Sequence, residues 1–285
     1  MKRFLLPLLI LTAGAQAIEL NGDFKGPLGL QLYSLRDSFK SDVPGTLDKV
    51  KAMGFTDVET ANTYGLGAEK LKALLEERGL RAVSGHFQYD PLTKDLAAAV
   101  QEAKTLGLKF AVCPWIPHEE ANFTEADVKR AAADFNKIGE AFKKVGIIFA
   151  YHCHGYEFRP VTEGGSETLF DVLVRETKPE FVSFEMDVFW VVHPGQDPTK
   201  LLAKYPNRWT LMHLKDIRKG AQTGVFTGHA PLTDDVPLGT GQVNWPAVLK
   251  EAAKIGLKYY FIEDESPTVL EALPVTMKYL STVKF

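Results

Sequence analysis

Carboxylates and imidazoles recur in this chain at the ends of short β-rich runs. They are Glu59, His86, then His152 with His154 and Glu157, Glu185 with Asp187, His213 followed by Lys215 and Asp216, and Glu263 with Asp264 and Glu265. Acidic residues are poor strand formers, so this placement asks for a reason other than strand stability. Carboxylates drawn together from several strand ends repel one another, and a divalent cation offsets that repulsion. Carboxylate oxygens mixed with imidazole nitrogen suit manganese, zinc, cobalt or magnesium. One divalent ion is therefore expected, with manganese or zinc favoured. Residues two apart on a strand share a face. That rule pairs His152 with His154, Glu185 with Asp187, His213 with Lys215 and Glu263 with Glu265, and turns Cys153 and Asp264 away. Each residue also has an ordinary reading: Glu59 as a solvated strand end, His86 as a rim histidine, Lys215 as a surface lysine.

The elements that must carry these groups alternate in two textures, short β-rich runs and longer amphipathic ones, with Gly, Pro or Asp at the joints. Residues 29–35, 56–59, 81–86, 109–113, 147–152, 181–187, 209–214 and 258–263 read as strands. Residues 44–53, 66–78, 92–105, 124–144, 168–176, 198–204, 245–255 and 267–280 read as helices. The helix over 124–144 opens on Glu125 and Asp127 and closes on Lys143 and Lys144, the charge order that its dipole favours. Eight strand–helix units in one chain of 285 residues predict a single-domain α/β protein, a (β/α)8 TIM barrel. A doubly wound open sheet would ordinarily carry a Gly-rich phosphate loop after the first strand, where this chain has Ser34-Leu35-Arg36-Asp37. In a TIM barrel the C-terminal strand ends share one mouth, so the residues above should converge there. The long Gly-, Thr- and Asp-containing connection over 218–243 reads as a rim loop or lid.

Bulk properties narrow the function classes. Hydrophobic residues make up 45% and charged residues 24%, enough for a full core. The net charge of -3 gives no attraction to nucleic acid or anionic lipid, so neither is expected as a partner. Lys2 and Arg3, the apolar run from Phe4 to Ala13, and Ala15-Gln16-Ala17 read as a signal peptide over 1–17, with the barrel domain over 18–285. The protein is then exported, to a periplasm, and holds no membrane span after cleavage. Cys113 and Cys153 are expected as separate buried thiols. Assembly into a homo-oligomer stays open.

Several stretches, taken in order, resemble the xylose isomerase-like TIM barrel superfamily, in its sugar phosphate isomerase/epimerase branch. They include Leu30-Gln31-Leu32-Tyr33-Ser34-Leu35-Arg36-Asp37, Gly54-Phe55-Thr56-Asp57-Val58-Glu59 and Ser84-Gly85-His86. Further on come Tyr151-His152-Cys153-His154-Gly155-Tyr156-Glu157-Phe158, Glu185-Met186-Asp187-Val188-Phe189-Trp190, His213-Leu214-Lys215-Asp216, Pro237-Leu238-Gly239-Thr240-Gly241 and Ile262-Glu263-Asp264. Metal sites of that superfamily take a Glu, an Asp, a His and a Glu from the fifth to eighth strands. The resemblance implies Asp187, His213 and Glu263 for the last three, and Glu157 for the first with His152 as its alternative.

The resemblance implies a metal-dependent sugar isomerase or epimerase working through an enediolate, with a small sugar as substrate. The base would come from Glu157, Glu263, His152 or His154, whichever is not committed to the metal. Lys215, His86, Glu59 and Glu185 would hold the substrate, and Trp190 would pack on its apolar face. The alternative is a metal-dependent lyase or hydrolase of oxidised (3-keto) glycosides, because the same chemistry can expel a β-substituent. An endonuclease IV-like phosphodiesterase fits less well, since Trp190 stands where that pattern expects a histidine. A non-catalytic sugar-binding barrel would have no use for the full set of metal-type residues.

Overall fold

The structure, a computed structural model, describes residues 18–119 and 122–285. The signal peptide read over 1–17 lies outside them. Eight parallel strands close into the expected barrel. They are β1 (Leu28–Gln31), β2 (Asp57–Thr60), β3 (Arg81–His86), β4 (Phe110–Cys113), β5 (Ile148–His152), β6 (Val182–Asp187) and β7 (Trp209–Leu214) and, after the two-residue strands β8 (Asp216–Ile217) and β9 (Asp235–Val236), β10 (Tyr259–Ile262). The ring closes where Leu30 of β1 lies opposite Ile262 on one side and Val58 on the other.

Helices form the outer layer. They are α1 (Arg36–Ser41), α2 (Val43–Ala52), α3 (Ala68–Glu77), α4 (Tyr89–Lys94), α5 (Leu96–Leu106), α6 (Glu125–Lys144), α7 (Leu169–Glu176), α8 (Val188–Val192), α9 (Pro198–Lys204), α10 (Trp245–Lys254) and α11 (Val269–Thr282). The longest, α6, starts where Thr124 and Asp127 cap each other's backbone reciprocally. It buries Val128, Ala131, Phe135, Ile138 and Phe142, one stripe at helical spacing. Phe135 meets the ring of Phe149 on β5 at 5.2 Å, so helix and strand share one core.

Inside the barrel, alternation along each strand stacks two layers of different chemistry. Ala150, Leu211 and Phe261 belong to an apolar layer with Val83, Phe110 and Val112. Two residues on, the same strands present His152 and His213, and the residue after β10 presents Glu263. The apolar layer is tight: a side chain on Gly29 would meet Phe261 at 2.5 Å, so glycine is needed there.

The structure departs from the sequence reading at four places. The first strand stops at Gln31, because its side chain accepts from the Tyr33 amide and turns the chain into a short 3-10 helix, Leu32–Leu35, and then α1. The helix read over 92–105 is two helices, separated where Asp95 caps α5 through the Ala98 amide. A short helix, α8, follows β6 directly, with Asp187 as its cap. The 218–243 segment is an anchored structure rather than a free lid. Asp216 Oδ1 accepts from the amides of Ile217 and Val243, and Oδ2 from those of Gly239 and Gly241 and from Trp245 Nε1. Cys113 and Cys153 are both buried and unbridged.

Candidate metal centre and active site

Three groups from neighbouring strands converge at the barrel mouth. Asp187 ends β6, His213 sits near the end of β7, and Glu263 follows β10. Each can bring one donor atom to within 4.8 Å of the others. His213 Nδ1 lies 3.1 Å from Glu263 Oε2 and 3.7 Å from Asp187 Oδ2. Its other nitrogen, Nε2, lies 2.6 Å from Glu59 Oε1. A histidine that donates one N–H to a carboxylate presents the lone pair of its other nitrogen, the usual support for a metal-ligating imidazole. Asp187 divides its oxygens in the same way. Oδ1 caps α8 by accepting from the Trp190 amide at 3.0 Å, while Oδ2 is buried with no hydrogen-bond partner. An orphaned buried carboxylate oxygen is costly unless something positive meets it.

Charge points the same way. Glu59, Glu185, Asp187 and Glu263 are all buried, with His86, His213 and Lys215 paired beside them. A divalent ion offsets the repulsion among four carboxylates gathered this closely. The donor set of two carboxylates and one imidazole fits such an ion and leaves an open position, as catalytic sites do. Burial opposes charge on Glu263, yet the Lys215 ammonium and His213 hold its carboxyl well below the usual range.

A second polar cluster adjoins the first. Glu185 Oε2 lies 3.0 Å from His152 Nδ1 and 3.3 Å from both His86 Nε2 and His213 Nε2. His86 Nε2 also reaches Glu59 Oε1 at 3.2 Å. Burial works against a charged His86, but Glu59 and Glu185 push its pKa up to about 9, so it carries a proton at neutral pH. His152 is fixed at Nδ1 by Glu185 and lines a cavity of about 440 Å³. Lys215 Nζ sits 2.5 Å from Glu265, 3.3 Å from Glu263 and 3.8 Å from Asp235. Burial opposes its charge, but Glu263 and Glu265 hold its pKa well above the ordinary lysine value, so it is a fixed cation and no base. His154 lines the same cavity and stacks on Trp190 at 4.6 Å. Burial, with His152 and Lys215 nearby, keeps it neutral.

The residues read from sequence therefore meet at one mouth, with one exception. Glu157, the expected ligand from the fifth strand, belongs to neither cluster of potential metal ligands among the described residues. It lies past the strand on a 3-10 turn, Tyr156–Phe158, where its Oε1 is taken by the His154 amide at 2.8 Å. Burial pushes its pKa up to about 7. The strand position itself is held by His152, the alternative. Asp264 turns away as alternation required, accepting from the amide and hydroxyl of Ser266.

Sequence reasoning missed Gln31 and Ser84, which donate to Glu59 at 2.6 and 2.5 Å. A buried polar side chain in the first strand was the available signal. It also missed Trp115 and His229, which line the cavity from loops, and Asp235, which had no readable signal because its facing depends on a two-residue strand.

Fold and candidate centre together define a barrel of the xylose isomerase-like TIM barrel family. The chain belongs to that family, whose model matches residues 47–279. It is 24% identical over 274 residues to an inosose dehydratase of Clostridium botulinum, covering 84% of this chain and 87% of that protein. Among solved structures, a sugar phosphate isomerase/epimerase from Parabacteroides distasonis superposes with a TM-score of 0.74 at 26% identity, covering 98% of this chain and 99% of that one. A more distant neighbour, the IOLI protein with a bound zinc atom, shares the fold with a TM-score of 0.67 at 14% identity over 88% of this chain and 95% of that one. The curated relatives are dehydratases, enzymes of the lyase class. This overturns the expectation of an isomerase-class enzyme and favours elimination, the alternative reading.

Proposed function

We propose that this protein is a metal-dependent lyase that eliminates a β-substituent from a keto-sugar or keto-cyclitol. The observation that carries the reading is the convergence of Asp187 Oδ2, His213 Nδ1 and Glu263 beside a cavity that Glu263 and His152 both line. A divalent cation held by those three side chains would supply Lewis-acid stabilisation of negative charge on the substrate's carbonyl oxygen. The protein supplies the rest. His152, with Nδ1–H donating to Glu185, offers Nε2 as the base for the weakly acidic proton beside the ketone. Glu185 keeps that ring in one tautomer and stabilises the imidazolium that results. Lys215 and His86 are cations on the cavity wall and hold substrate oxygens in place. Trp190 and Phe189 form an apolar wall beside Lys215 Nζ, at 5.6 and 5.4 Å from their ring centres. The named activity of the inosose dehydratase relatives, loss of water from a keto-cyclitol, supports this class of reaction.

The test is dehydration of a keto-inositol by purified protein, with bound metal counted by elemental analysis. Wild type should carry one transition metal per chain and lose turnover with a chelator. Asp187→Asn should lose metal and activity together. Full turnover in the chelated, metal-free protein would refute the reading.

Export accompanies the proposal. The Lys2-Arg3 start and the Ala15-Gln16-Ala17 ending support cleavage after Ala17 and a periplasmic site of action. The intact mass of protein from the native host should begin at Ile18; a mass that includes Met1 would oppose it.

A further inference from the structure

Asp235 lies in the segment read from sequence as a rim loop or lid, yet it lines the active-site cavity. Its position is fixed. β9 pairs antiparallel with β8, placing Asp235 opposite Ile217. Its neighbour Asp234, also buried, is taken by Arg218 at 2.6 Å. Asp235 Oδ2 accepts from the Glu265 amide at 2.7 Å and lies 3.8 Å from Lys215 Nζ. Oδ1 is buried with no partner. The whole residue is 5% exposed. A fixed carboxyl with one buried oxygen left over, on the wall of a cavity, is placed for a ligand atom rather than for the fold.

Resting on the lyase reading above, we propose that Asp235 is a catalytic acid that protonates the departing oxygen of the substrate. His152 Nε2 takes the proton beside the ketone, and the C–H electron pair becomes that of the enolate. When the enolate collapses, its pair forms the new C=C bond as the β C–O bond breaks. The oxygen leaves with the C–O pair and takes the proton from Asp235 Oδ1, so a hydroxyl departs as water. Asp235 is left as carboxylate and His152 as imidazolium, and exchange with solvent restores both. Burial, with Asp264 and Glu265 close by, keeps the Asp235 carboxyl protonated well above the usual range despite Lys215, the state that an acid requires. Lys215 donates to Glu263 and Glu265, which leaves its third N–H to hold a substrate oxygen.

A pair of substrates isolates this role: a keto-inositol, which loses hydroxide, and its analogue with fluorine at the departing position. Fluoride leaves without a proton. Asp235→Asn should slow dehydration by about 10²–10⁴-fold, the usual worth of a general acid, and slow fluoride release only a few-fold. Asp235→Ser should show the same split, and melting temperatures establish that each variant is folded. Equal losses on both substrates by a folded variant, or no loss on the hydroxyl substrate, overturn the proposal. Should neither variant fold, the wild-type enzyme decides: comparable rates for the two substrates support an acid, and a hydroxyl substrate slower by more than about 10⁴-fold overturns one. Wild-type protein that releases neither water nor fluoride takes the lyase reading and this one down together.

Discussion

Glu157→Gln separates the ligand expected from sequence from the buried acid found in the structure. The folded protein holds the Glu157 proton up to about pH 7, whereas an ordinary glutamate releases it near 4.5. Between those values the unfolded chain binds fewer protons than the native one, so this residue's contribution to stability falls as pH rises. A shift of that size corresponds to about 3 kcal/mol, at roughly 1.4 kcal/mol per pH unit, most of it arising between about pH 5 and about pH 8. Glutamine keeps an oxygen for the His154 amide and has nothing to ionise. The stability of Glu157→Gln relative to wild type should therefore rise by about 2–3 kcal/mol across that window, read from urea unfolding of metal-free protein. Metal affinity, measured by calorimetric titration, should stay within a few-fold of wild type. A parallel pH dependence in the two proteins would refute the buried-acid account. A collapse of metal binding in the variant would restore Glu157 as the ligand.

Two further changes probe the supports of the site. Glu59→Gln keeps an oxygen for His213 Nε2 but removes the charge, and should weaken metal binding about 10–100-fold while leaving the melting temperature near wild type; unchanged affinity would mean that Glu59 does not orient His213. Asp216→Ala strips five N–H donors, three of them buried, of their acceptor and should lower stability by about 3 kcal/mol. Amide exchange at Gly239, Gly241 and Val243 should then quicken, with dehydration falling as Asp235 loses its position; slow exchange at those amides would show that another contact holds the segment.

The sequence by itself determined the barrel and most of its mouth. Strand and helix periods come from local alternation, and a (β/α)8 barrel gathers its strand ends by topology alone. Asp187, His213, Glu263, His152 and Lys215 could therefore be named before any coordinates. Facing was legible where alternation persists, as the turned-away Asp264 shows. Tertiary structure alone decided what depends on irregular backbone or on distant chain. Glu157 follows the strand by a 3-10 turn, so no alternation rule assigns its direction. Glu59 meets His213 across the barrel interior, a contact between residues 154 positions apart. Asp235 faces the cavity because Asp216 gathers the 218–243 segment against β8, and that gathering is a set of hydrogen bonds rather than a pattern of residues. Chemistry was harder to read than fold for the same reason: isomerisation and elimination share the proton-abstracting half of the site. They differ in how the departing oxygen is received, and Asp235, the residue proposed for that step, is brought to the cavity by β9.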